Sequence, residues 1–208
     1  MIITVDGLDG AGKSTLAKEL AQKLDFEYVD KPIYELFNVK GDDNYLYDQI
    51  YHLQDLVYNK TDSNTLKSWF TGMSLLYIKE VMGDRNIIVD RGLLSAYAFN
   101  GDEKSEPVFK TLLDLGGGFD LSIILLVSNE ERIRRLKQRN INDPDLYLDK
   151  IRNLQYDSIM KFLDTYDLET LLINTDSKTP EEVLEVAIQR INALRKEKPK
   201  VLEKQKKN

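Results

Sequence analysis

The chain has 208 residues, 42% of them hydrophobic, with 29 basic and 35 acidic side chains and a net charge of −6. That length suits one sizeable domain, and the acidic balance argues against a general nucleic-acid binder, which carries a basic footprint. With no cysteine and a single histidine, His52, disulfides, thiolate metal centres and histidine-rich zinc sites are excluded.

Ile2, Ile3 and Val5 open the chain as a short β-branched run that reads as a buried strand. Gly7-Leu8-Asp9-Gly10-Ala11-Gly12-Lys13-Ser14 follows, matching G-x-x-x-x-G-K-[ST], the phosphate-binding loop. Leu16, Ala17, Leu20, Ala21 and Leu24 then recur at helical spacing, so the glycines lie between a strand and a helix start, the context that motif needs. Each part has a physical role in holding ATP. Glycine lets the backbone curl around an anion. The loop N–H groups and the helix N-terminus, from Gly10 and Ala11 through Thr15, face phosphate. Lys13 is a mobile point charge for the β- and γ-phosphates, and Ser14 offers a hydroxyl to Mg²⁺.

Residues 26–29 read as a second strand, ended by Asp30-Lys31-Pro32, where the proline disfavours helix at Lys31. A helix is expected over about 45–59, with His52 as a structural residue among Tyr51, Leu53 and Leu56. Asp62 or Ser63 caps the next helix, through about Val81, which carries Leu66, Trp69, Phe70 and Met73. Residues 86–90 form an apolar strand ending in Asp90-Arg91. Short helices are expected over 94–99 and 108–115, then a Gly116-Gly117-Gly118 joint and a central apolar strand over 121–127. Asn129 is the expected cap of a helix through Arg139, broken by residues 140–144. A long helix over about 146–166, a last strand at 171–173 and a helix starting at Thr179-Pro180 complete the pattern. The basic tail, 195–208, is expected to fray, leaving one domain over 1–194. Strands alternating with helices imply a parallel sheet covered on both faces. No run approaches the ~20 apolar residues that span a membrane, and the immediate first strand leaves no signal peptide, so a cytoplasmic protein is expected.

Three groups carry chemistry besides the loop. Asp90 and Arg91 end a strand, on the rim where parallel sheets bind ligands. There the carboxylate can hold Mg²⁺ with Ser14, and the arginine can neutralise phosphate. Arg132, Arg134, Arg135, Lys137 and Arg139 run into the break at Pro144 and form a lid over about 135–148. Phosphoryl transfer needs cations from outside the loop; Arg139 and then Arg135 are the best candidates, with Arg132 and Arg134 read as solvated. Among the aromatics, Phe70 is the candidate to stack on a base.

In order and spacing the chain resembles the thymidylate kinase family of nucleoside monophosphate kinases, to about residue 194. The loop through Thr15 is similar to that family's, including the acidic Asp9. Asp90-Arg91, Ser95, Ala98-Phe99 and Asn100-Gly101 follow its D-R-x-x-x-S-x-x-A-Y-Q-G pattern, with Phe for Tyr and Asn for Gln. The resemblance implies a three-layer α/β P-loop NTPase of the kinase type, with five parallel strands in the order 2-3-1-4-5. It implies that Asp9 contacts the acceptor sugar, Arg91 its phosphate and Phe70 its base, and it suggests a homodimer. Two departures stand out. The family's arginine after the second strand is Asp30 here, with Lys31 as a substitute cation, and the arginine four residues after the stacking phenylalanine is Ser74. The resemblance therefore leaves the base open. The related deoxynucleoside kinases carry a Glu-Pro pair where this chain has Lys31-Pro32, and Glu-Arg where it has Asp90-Arg91.

The expected activity is Mg²⁺-dependent transfer of the γ-phosphoryl group of ATP to a small-molecule nucleoside monophosphate. The rival kinase reading is phosphorylation of a deoxynucleoside hydroxyl, with Asp30 as base. A nucleotide-binding switch would need a partner-sensing loop and a water-positioning residue, and neither is identifiable in the sequence.

Overall fold

The computed structural model describes residues 1–30, 32–36, 44–143, 146 and 149–205. Five parallel strands form one sheet: β1 (Ile2–Gly7), β2 (Glu27–Val29), β3 (Ile87–Asp90), β4 (Leu121–Leu126) and β5 (Thr170–Asn174), in the order β2-β3-β1-β4-β5. This is the expected order. All six residues of β1 and all four of β3 are buried, as strands covered on both faces must be. β1 pairs with β3 on one side and β4 on the other, so the chain leaves it in both directions. The crevice at its carboxyl end is where such sheets take ligands.

One face of the sheet packs Ile3, Val5, Ile123 and Leu125 against α1 (Lys13–Leu24) and α9 (Pro180–Gln205), through Leu16, Leu20 and Ile191. The opposite face is covered by α4 (Asn64–Val81), α5 (Leu93–Asn100), α6 (Glu106–Gly116) and α8 (Asp149–Thr165), around Leu94, Phe109, Ile124, Ile159 and Phe162. Tyr97, Phe109 and Phe162 meet there as an aromatic cluster, with centroids 4.3–6.1 Å apart. Each buried aliphatic or aromatic side chain contributes about 1.5–3 kcal/mol relative to exposure. Exposed ion pairs such as Lys110–Asp114 are screened by water and contribute little beside that, so burial holds the fold. Among the described residues no helix is long and apolar enough to cross a membrane.

Several boundaries differ from the sequence reading, for local reasons. A short helix, α2 (Pro32–Leu36), follows β2, with Pro32 in the first turn that tolerates it. Ser63 caps α4, its Oγ accepting from Leu66 N after α3 (Asn44–Asn59) has ended. Ser128, not Asn129, caps α7 (Asn129–Arg139), its Oγ accepting from Glu131 N. α8 is described over Asp149–Thr165; residues 147 and 148 of the expected helix lie outside the described residues. α9 is described to Gln205, and residues 206–208 of the basic tail lie outside the described residues. That helix starts with Thr179 N bonded to Glu182 and Glu182 N to Thr179 Oγ1, a reciprocal cap. Of the expected lid, residues 144, 145, 147 and 148 lie outside the described residues.

Candidate active site

The phosphate loop joins β1 to α1. Gly12 is the N-cap and supplies no side-chain hydrogen bond, so the first-turn N–H groups of α1 are left for an anion. Gly10 has φ +85°, which favours glycine, and a Cβ there would crowd Arg132 Cγ at 3.1 Å. Lys13 is 5% exposed. Its Nζ donates to Leu8 O at 2.7 Å and lies 3.5 Å from Asp9 Oδ1, so the protein itself holds the ammonium. Burial lowers its pKa to about 8, with Arg91 adding to the drop and Asp9 and Asp90 opposing it. Asp9 also pairs with Arg91, which links the loop to the end of β3.

Asp90 is the last residue of β3 and is 3% exposed. Burial pushes its carboxyl above the usual range, against the hydroxyl of Ser14 and the charges of Lys13 and Arg91. Its Oδ1 has no hydrogen-bond partner. A buried orphan carboxylate oxygen beside a serine hydroxyl is a hard-donor pair that fits Mg²⁺. Arg91 has φ +78°, rare for a side chain of that size and typical of functional sites. Its N–H donates to Val5 O, and its guanidinium lies 5.6 Å from the centre of the Phe99 ring.

Asp6, on β1, anchors this segment. Its Oδ1 accepts from Gly92 N at 2.8 Å and Ser95 N at 2.9 Å, and its Oδ2 from Thr4 Oγ1 at 2.8 Å. Gly92, the N-cap of α5, has no side chain for that task. A Cβ at Gly92 would meet Thr4 at 2.6 Å. A strand carboxylate thus caps the helix that carries Ser95 and Phe99.

Two cavities flank the loop. The first, about 400 Å³, brings Ser14, Asp30, Asp90 and Arg91 to one end. Phe70, Ser95 and Phe99 also line it. Of the substrate-side residues named from sequence, Asp9 touches this group through Arg91, and Lys31 lies outside the described residues. Ser95 Oγ is buried without a partner. Tyr58 stands edge-on to Phe70 at 6.0 Å and 80°. Ser74 and Asn100, named from the family pattern, and Gln54 and Thr71, which were not singled out from sequence, add neutral polar groups. Ser74 Oγ donates to Thr71 O at 2.7 Å.

The second cavity, about 370 Å³, lies on the other side of the loop, against Gly12 and Thr15. Its far wall is Thr175, Asp176 and Lys178, in the turn after β5, together with Arg135. Arg135 Nη1 donates to Thr175 Oγ1 at 3.0 Å, Nη2 to Thr175 O at 2.6 Å and Nε to Glu131 at 2.7 Å. Hydrogen bonds from Arg134 and Arg135 hold the Glu131 carboxyl down at about 2. Arg139 pairs with the buried Asp143 at the start of the lid stretch. Arg132 is not solvated as read: it is 1% exposed, its stem packs over Gly10, and Nε and Nη2 donate to Asn129 Oδ1.

Tyr28 was also missed. Its hydroxyl lies 3.3 Å from Asp30 Oδ1 and 3.5 Å from Asp90 Oδ2, and burial with the two carboxylates raises its pKa. The available signal was its place two residues before Asp30, on the same strand face. For Thr175 and Asp176 it was a polar turn at the carboxyl end of the last strand.

The AAA_18 family, described as an AAA domain, matches residues 3–157. A probable thymidylate kinase of Methanocaldococcus jannaschii is 27% identical over 189 residues, covering 88% of this chain and 91% of that protein. A cytidylate kinase of Methanobrevibacter smithii is 24% identical over 195 residues, covering 90% and 96%. Among solved structures, thymidylate kinase from Candida albicans superposes with a TM-score of 0.64 at 21% identity over 92% of this chain and 91% of its own. Deoxyadenosine kinase from M. mycoides does so with a TM-score of 0.62 at 22% identity, over 93% and 100%.

Proposed function

The chain belongs to the AAA_18 family of P-loop AAA domains, and from that premise we propose that it is a nucleotide kinase. In this reading it moves the γ-phosphoryl group of ATP to a (deoxy)nucleoside monophosphate. The observation that carries the reading is the pair of cavities, about 400 and 370 Å³, on either side of one phosphate loop. A hydrolytic switch needs one nucleotide cavity; transfer between two nucleotides needs two, meeting at the cationic loop. The thymidylate and cytidylate kinase relatives support the same class.

The roles follow from place. The second cavity takes the donor nucleoside against Thr175 and Arg135, and the loop N–H groups hold its phosphates. Lys13 leaves Leu8 O to reach the transferring group, where charge develops. Ser14 and Asp90 hold Mg²⁺, which when bound neutralises phosphoryl oxygens. Arg91 exchanges Asp9 for the acceptor phosphate, and Arg139 exchanges Asp143 for the transferring group. Phe70 stacks on the acceptor base, with Ser95 and Phe99 closing the wall beside it. A phosphate acceptor is already an anion and needs no base. Leu66, Trp69 and Met73, each more than 40% exposed on α4, support the homodimer that the resemblance suggests, as a cytoplasmic enzyme.

A second reading, a deoxynucleoside acceptor, is favoured by Asp30. It stands on the acceptor wall beside Asp90, where a base for a 5′-hydroxyl belongs. Label transfer from γ-labelled ATP to nucleosides and monophosphates, with Mg²⁺ and with EDTA, tests both. Labelled diphosphates are expected. Release of inorganic phosphate alone, with no labelled nucleotide, would contradict kinase function.

A further inference from the structure

The carboxyl ends of β2 and β3 set two carboxylates side by side. The parallel register pairs Tyr28 with Ile88 and Val29 with Val89, so the next position places Asp30 opposite Asp90. Like charges directly across a sheet repel. The repulsion falls on a residue that is 3% exposed and has one oxygen, Oδ1, without a hydrogen-bond partner. Tyr28 reaches both groups from the same face of β2 as Asp30. Its hydroxyl is 3.3 Å from Asp30 Oδ1 and 3.5 Å from Asp90 Oδ2. A phenol has a single proton to donate, so it can serve either carboxylate and stands as a spacer between them. Lys18 Nζ lies 5.7 Å from the centre of the ring, closing its outer side. Tyr28 lines neither cavity. Any effect it has on nucleotide must therefore pass through the two carboxylates.

We propose that Tyr28 is a positioning residue for the divalent cation: its hydroxyl holds Asp90 Oδ2 and separates it from Asp30, which leaves Asp90 Oδ1 directed to the metal beside Ser14. This rests on the reading of Ser14 and Asp90 as the Mg²⁺ site. The orphan Oδ1 gives the arrangement its purpose. With one oxygen held by the phenol, the rotation of the carboxylate is fixed and the other oxygen is presented without a search. Without the phenol, Asp90 turns away from Asp30 and the cation must reorder it on binding.

Calorimetric titration of ADP into the full chain, once with Mg²⁺ and once with EDTA, tests this without turnover. Tyr28→Phe should leave ADP affinity in EDTA unchanged and reduce its enhancement by Mg²⁺ about tenfold, the usual effect of losing a group that orients a metal ligand. The Tyr28→Phe, Asp30→Asn double variant should recover most of the enhancement, because the charge that displaces Asp90 is gone. An unchanged enhancement in Tyr28→Phe, an equal loss in EDTA, or no recovery in the double variant would each overturn the proposal. A wild-type chain whose ADP affinity does not respond to Mg²⁺ would overturn the Ser14–Asp90 reading itself, and this inference with it.

Discussion

Lys13 is held between two demands. It must be charged to serve phosphate, yet the fold buries it against Leu8 O, and its pKa falls from 10.5 to about 8. Below pH 8 the folded chain carries the full cost of that buried charge. Between 8 and 10.5 the unfolded chain binds the proton more readily, so stability rises with pH across that window. Lys13→Met should therefore unfold at higher urea than wild type at pH 7, by up to about 3 kcal/mol. The gap should close by pH 10.5. Parallel curves at all pH values would contradict the buried-charge account. The same variant should lose about 100-fold or more in single-turnover transfer, as removal of a transition-state electrostatic contact does. That Lys13, Ser14, Asp90 and Arg91 come together was legible in the sequence, because a loop motif and a strand end place them on one rim. Tyr28, Arg132 and Thr175 were not, because theirs depend on what faces them across the sheet or from another helix. Arg132 shows the point: among four other basic residues it reads as surface, and only its packing over Gly10 makes it core.

Two elements set the geometry of the acceptor and donor sides. α5 begins without a side-chain cap of its own, and Asp6 of β1 supplies one from another strand. Asp6→Ala leaves buried Gly92 and Ser95 N–H groups unpaired, at a cost of about 1–3 kcal/mol. Because α5 carries Ser95 and Phe99, acceptor KM should rise while ATP KM holds. Urea unfolding with steady-state kinetics checks both, and an equal rise in the two KM values would contradict a role confined to α5. α7 divides its arginines differently from the sequence reading. Arg135 and Arg139 were expected to act together on the γ-phosphate. Arg135 is instead tied to Thr175 beside the second cavity, whereas Arg139 pairs with Asp143 further along the expected lid. Arg135→Ala should raise ATP KM about tenfold with kcat little changed, whereas Arg139→Ala should lower kcat. Steady-state kinetics of the pair decides it. A kcat loss in both would restore the joint lid role. Helix periodicity and caps located α4 and α7 to within a residue or two. They could not say which face of α7 turns to β5, because its arginines occupy more than one face.

Across the molecule, the order β2-β3-β1-β4-β5 puts the loop at the crevice where β1 sends the chain both ways. That arrangement creates a cavity on each side, one toward β3 and α5, the other toward β5 and α9. The alternation of strands and helices made the parallel sheet legible; the strand order came with the family resemblance. The donor wall after β5 did not, since Thr175 and Asp176 resemble any polar turn until the second cavity is seen. The charge balance of the first cavity decides what it accepts. Arg91 is the one cation on its wall among the described residues, opposed by Asp30 and Asp90. Arg91 already has a carboxylate partner in Asp9, which an acceptor phosphate would replace at little net cost. A hydroxyl acceptor would use Asp30 and gain nothing from Arg91. The direct measurement is kcat/KM for each deoxynucleoside against its own 5′-monophosphate, with wild type and Arg91→Ala. The account predicts a preference for at least one monophosphate of about tenfold or more, lost in Arg91→Ala. A comparable preference for the nucleosides, unaffected by Arg91→Ala, would contradict it.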